Sequence, residues 1–162
     1  MLMKMNVHGM HNNVFLYYFL QNPYLYYEVI IMKFLNFQLK YIHNHGCPWN
    51  AETCNNAALN GHLDCLIFAH ENGCPWNENT CYNAAFNGHL DCLIFAHENG
   101  CPWNEWTCEF AAFSGHLDCL KYAHTHGCPW DKNTCDYAAH YGHLDCLKYL
   151  HDNNCPINYF MD

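Results

Sequence analysis

The sequence contains no arginine and only six lysines against 15 acidic residues, so its 162 residues carry a formal charge of −9 with histidine neutral. So little positive charge cannot neutralise a phosphate backbone or hold an anionic membrane surface, which argues against nucleic-acid binding and against membrane docking. Long apolar runs are missing as well. The best one near the N-terminus, Val14 to Leu20, follows His11-Asn12-Asn13 rather than a basic cluster and is closed by Gln21-Asn22-Pro23. The greasy stretch from Tyr24 to Phe37 is interrupted by Glu28 and Lys33. Neither reads as a signal peptide or a bilayer span. There is also no Cys-x-x-Cys pair, no glycine-rich phosphate loop and no Gly-x-Ser-x-Gly, so the common zinc-knuckle, nucleotide-cradle and nucleophile-elbow signatures are absent.

Apolar residues make up 51% of the chain and aromatics 17%, which is ample for a packed core and too much for disorder. The 13 cysteines would suggest a disulfide scaffold in a secreted protein. Their odd number and the lack of a secretory leader point instead to free thiols in a reducing, intracellular and cytoplasmic setting.

Internal repetition decides the reading. Gly-Cys-Pro-Trp begins at Gly46, Gly73, Gly100 and Gly127, a step of 27 residues. Thr-Cys follows in frame at Thr53, Thr80, Thr107 and Thr134, and Gly-His-Leu-Asp-Cys-Leu at Gly61, Gly88, Gly115 and Gly142. Single histidines keep the same period at His43, His70, His97, His124 and His151. Each unit reads as two helices. Thr80 is a competent N-cap, and Cys81, Ala84, Ala85 and Gly88 recur at helical spacing. Pro75 to Asn79 then forms the preceding loop. Leu90, Leu93, Ile94 and His97 lie at i, i+3, i+4 and i+7 and predict one buried stripe on the second helix. Gly100 sits where a left-handed cap is expected, with Pro102 beyond it. No segment alternates as a strand would. A pair of helices this short cannot bury its apolar face alone, so stability must come from stacking, with the four repeated Trp plugging the seams between units.

The stretch Thr80-Cys81-Tyr82-Asn83-Ala84-Ala85-Phe86-Asn87-Gly88-His89-Leu90-Asp91 resembles the ankyrin repeat, whose helices carry T-P-L-H-x-A-A-x-x-G-H-L. Ankyrin repeats run 33 residues; this unit is six shorter, mostly between Gly100 and Thr107, where the family's β-hairpin finger lies. The units resemble the short ankyrin-like type common in large DNA viruses and some protists, and 21 Asn with no Arg suit an AT-rich genome. The resemblance implies an all-α, ankyrin-like helical solenoid of stacked helix-turn-helix repeats with shortened finger loops. Its expected organisation is an unassigned segment at 1–19, a degenerate repeat at 20–46 with a first helix near Tyr26 to Leu35, four repeats at 47–73, 74–100, 101–127 and 128–154, and the start of a further unit at 155–162.

Packing competes with chemistry as the role of the repeated Cys and His. His89 and Cys92 share a helix face and could bind zinc with Cys81. Successive cysteines are 7, 11 and 9 apart, however, which matches no structural zinc motif, and packing thiols are the better reading. No metal and no cofactor are expected. By the resemblance, Cys74 and Cys92 stand where ankyrins place Ala and Val. The His column is read as hydrogen-bonded and structural; buried neutral rings there should lower stability below about pH 6. His89 and Asp91, two apart on a helix, point to different sides and form no dyad. No catalytic activity is expected.

Function should therefore reside in columns that differ between copies: positions 51–52, 55–56 and 59–60 and their equivalents. They gather on one side, which in the ankyrin family is the concave binding face. Its occupants include Tyr82, Phe86, Trp106, Phe110, Phe113, Tyr137, His140 and Tyr141, a row of the residue types that dominate binding hot spots. Phe86 and Phe113 could equally be inter-repeat core. Glu52, Glu78, Glu105, Glu109 and Asp136 nearby favour an apolar or basic partner patch. The expected function is a non-catalytic protein–protein interaction module that binds a partner protein, without nucleic acid or membrane, in the cytoplasm (of a host cell if the source is viral). Two alternatives are a Cys/His-rich zinc-binding repeat protein and a substrate-recruiting subunit of a ubiquitin ligase complex, the latter resting on family habit alone.

Overall fold

A computed structural model describes residues 37, 39–41, 43–46 and 49–156. The expected helix at Tyr26 to Leu35, the segment 1–19 and residues 157–162 lie outside the described residues.

Four helix pairs follow one another: α1 (Ala51–Leu59) and α2 (Leu63–Glu71), α3 (Glu78–Phe86) and α4 (Leu90–Glu98), α5 (Glu105–Ser114) and α6 (Leu117–Thr125), α7 (Lys132–His140) and α8 (Leu144–Asp152). No strand occurs among the described residues. Each first helix starts earlier than the Thr-Cys landmark suggests. The N-caps are Asn50, Asn77, Asn104 and Asp131, whose side chains accept from the backbone N–H two residues on. Thr80 is thus the third residue of α3 rather than its cap, and Glu78 and Asn79 belong to the helix rather than to a loop. The reason is that Asn and Thr both cap well, and only the Thr side chain is wanted inside the stack: Thr80, Thr107 and Thr134 are fully buried.

Helices end by a common device. In the first pair the His62 N–H bonds Ala57 O and the Gly61 N–H bonds Ala58 O, a closure that places glycine in the left-handed region. The same closure ends α2, where the Cys74 N–H bonds Ala69 O. In the last unit Asn154 takes the glycine's place, at φ 58°.

The core is built from small side chains. On α4 the fully buried residues are Cys92, Leu93 and Ala96. This corrects the expected stripe: Leu93 is its centre, while Leu90, Ile94 and His97 flank it half-buried. Ala84, Ala85 and Cys81 on α3 are completely covered, and such small residues let first helices approach more closely than second helices do.

Three ladders tie successive units. The thiol of Cys74 donates to Asn50 O at 3.2 Å, and Cys101, Cys128 and Cys155 repeat this on Asn77, Asn104 and Asp131. The imidazoles of His89, His116 and His143 lie over Gly61, Gly88 and Gly115 of the preceding units. On the far side His43, His70, His97 and His124 stack on Trp49, Trp76, Trp103 and Trp130 at 3.6–3.9 Å. The tryptophans are half-buried against the core, so they brace the histidines of their own seam. His97 and His124 are also hydrogen-bonded to the Tyr122 and Tyr149 hydroxyls at 3.0 and 2.9 Å. Burial holds both histidines, and His116, below the usual imidazole range.

Candidate partner-binding face

First helices α3, α5 and α7 turn the same face outward, because their buried Thr, Cys and Ala positions recur in one register. The variable positions on that face form one connected set of rings. Tyr82 meets Phe110 at 5.2 Å and Trp106 at 6.5 Å between centroids. Phe86 meets Phe110 at 5.6 Å and Phe113 at 5.9 Å. Phe113 continues to Tyr137 at 5.8 Å and Tyr141 at 4.2 Å, and Tyr141 touches His140 at 4.9 Å. All eight residues singled out from the sequence thus join across three units. Trp106 is 46% exposed and Tyr141 49%. Phe86 and Phe113 are half-buried, serving as both inter-repeat packing and floor of the face.

Two features of this face break the repeat's own rules. In the first two units the buried Thr80 hydroxyl donates to Asn55 Oδ1 at 2.8 Å. One unit on, the position of Asn55 is occupied by Tyr82, and the buried Thr107 hydroxyl has no partner. A further unit on, the same position is Glu109, a carboxylate only 6% exposed. It accepts from the amide of Asn133 at 3.4 Å and shares a side-chain hydrogen bond with the Asp131 carboxyl. Burial, with help from the nearby Asp131 and Glu105 carboxylates, raises its pKa, and the Asn133 bond only partly offsets this. Neither Thr107 nor Asn133 is recognisable as part of the face from the sequence; the signal that could find them is the switch from Asn to Tyr to Glu along one column.

The other candidate chemistry is committed elsewhere. Among the described residues no group of three or more His, Cys, Asp or Glu is placed to hold a metal ion. The twelve described cysteines are free and buried. Burial pushes the Cys92 and Cys119 thiols up to about 12. Cys81 and Cys108 are raised further by hydrogen bonds with the Cys101 and Cys128 thiols together with burial. Such thiols are poor nucleophiles and poor ligands. No described helix is long and apolar enough to cross a membrane.

The sequence model of the family described as ankyrin repeats, in three copies, matches residues 81–161, half of the chain. A search of curated proteins returned no match.

Proposed function

The chain belongs to the ankyrin repeat family, and on that premise we propose that it is a non-catalytic module whose partner protein docks on the aromatic face of α3, α5 and α7. Ankyrin repeats generally mediate protein–protein interaction and are generally non-catalytic. The choice of face rests on one observation. Where the ring cluster lies, the scaffold gives up a buried hydrogen bond at Thr107 and buries a carboxylate at Glu109. Sequences depart from local consistency in this way where function outweighs stability. Of the four units at 47–73, 74–100, 101–127 and 128–154, the last three supply the face, and the free buried thiols suit a reducing compartment.

The test is affinity capture with the wild-type chain and with Trp106→Ala, followed by affinity measurement on each captured protein after purification. Removing a half-exposed central Trp should weaken the true partner by about 1–2 kcal/mol or more. Tyr149→Phe, on the opposite side, should leave that affinity unchanged, although it removes the hydroxyl bonded to His124. A partner indifferent to Trp106→Ala and weakened by Tyr149→Phe would place binding on the other side of the stack.

A further inference from the structure

Glu109 is the least accessible charged group on the aromatic face, and no cation of the described residues serves it. Its hydrogen-bond partners there are the neutral Asn133 amide and the Asp131 carboxyl, and among the described residues it forms no ion pair. Of the described lysines, Lys40 and Lys121 sit over the Phe68 and Tyr149 rings at 5.0 and 5.9 Å, both on the second-helix side, and Lys148 lies on the second helix α8. Lys132, at the exposed start of α7, is the one lysine on a described first helix. Glu109 shares an α5 stripe with Trp106, Phe110 and Phe113, and Glu105 lies one turn before it. Ring faces attract cations through their quadrupole, and a buried carboxylate without a counter-charge is stabilised by any cation brought within reach. The whole chain adds to this with its charge of −9.

We propose, resting on the reading of this face as the docking surface, that its partner is a basic peptide segment in which a lysine or arginine side chain, set between apolar residues, seats against Glu109 beside the Trp106 and Tyr82 rings. The apolar neighbours cover Phe86, Phe110 and Phe113. The cation supplies the charge the fold leaves out, and Glu105 and Asp131 reinforce its field. An acidic or purely apolar segment finds no compensation for Glu109 and buries it further, at a cost.

The test uses the full chain as bait for a library of random dodecamer peptides, with the affinity of selected peptides then measured by fluorescence anisotropy. Selected peptides should carry Lys or Arg flanked by apolar residues. Their binding should weaken at least about tenfold on Glu109→Gln, and as much when that basic residue is replaced by norleucine. Glu109→Gln keeps the acceptor for Asn133 and removes a buried charge, so the free chain should melt at the same temperature or higher at pH 7. A binding loss with unchanged or raised stability separates recognition from a structural role; a lowered melting temperature with unchanged affinity would overturn the proposal. Peptides that lose binding to Trp106→Ala but ignore Glu109→Gln overturn the cation site and leave the face standing. A library yielding no peptide sensitive to Trp106→Ala overturns both.

Discussion

Gly115 and Gly142 offer a controlled experiment on what one rung of the histidine–glycine ladder contributes. Both close a first helix in the left-handed region, at φ 76° and 74°, so alanine carries nearly the same backbone cost at each, about 1–2 kcal/mol. Their surroundings differ. A Cβ on Gly115 would lie 2.4 Å from His143 Nδ1, whereas one on Gly142 would meet nothing within 4 Å, because no described unit lies above it. To accommodate a methyl group at position 115 the imidazole must move, and His143 Nε2 donates to Phe113 O at 2.8 Å. Losing that bond costs about 0.5–1.5 kcal/mol, and forcing the packed ring aside about 1–3 kcal/mol. Gly142→Ala should therefore cost about 1–2 kcal/mol and Gly115→Ala about 2.5–6.5 kcal/mol. The assay is urea and thermal unfolding of the full chain, where each kcal/mol corresponds to about 2–4 °C at this size. Equal losses at the two positions would refute the idea that the imidazole locks onto the glycine of the unit before it.

Three further outcomes follow from the same geometry. Tyr82→Asn restores an acceptor for the orphaned Thr107 hydroxyl, so unfolding should show a gain of about 1 kcal/mol while partner affinity falls; a loss of stability would contradict the column logic. His97, His116 and His124 are held by burial below 6.5, the ordinary imidazole value, whereas the unfolded chain protonates at that value. Stability is then full above pH 6.5 and declines as pH falls through it. Melting temperatures that match at about pH 7.5 and pH 5.5 would contradict this. Finally, Cys81 and Cys108 should resist iodoacetamide in the native chain and react on unfolding, as mass-spectrometric mapping would show; rapid native labelling would refute their burial.

Much of the fold is legible because its information is periodic. The Gly-Cys-Pro-Trp and Gly-His-Leu-Asp-Cys-Leu landmarks mark helix ends in every unit, and the left-handed glycines lie where spacing puts them. The variable columns likewise lead to the eight rings that the structure joins. Details that depend on a neighbouring unit stay hidden. In Asn77-Glu78-Asn79-Thr80 three residues can cap, and Asn77 does so while Thr80 is buried in the stack with its hydroxyl on Asn55, 25 positions away. The second-helix stripe centres elsewhere than the pattern suggests because Cys92 and Ala96 weigh little on a hydrophobicity scale, although their small size is what close packing requires. Glu109 looks like an ordinary surface acid in its own helix. Its burial arises from Asn133 and Asp131 of the following unit, which a reading confined to one repeat does not bring together.

The most direct test of the central claim follows the five indole N–H signals in the nitrogen–proton NMR spectrum of the full chain while a selected peptide is titrated in. Binding on the first-helix face predicts that the Trp106 signal moves, along with backbone amides of α3, α5 and α7, while those of Trp49, Trp76, Trp103 and Trp130 stay in place. Movement of those four tryptophans with Trp106 unchanged would put the binding surface on the histidine–tryptophan side and contradict the account.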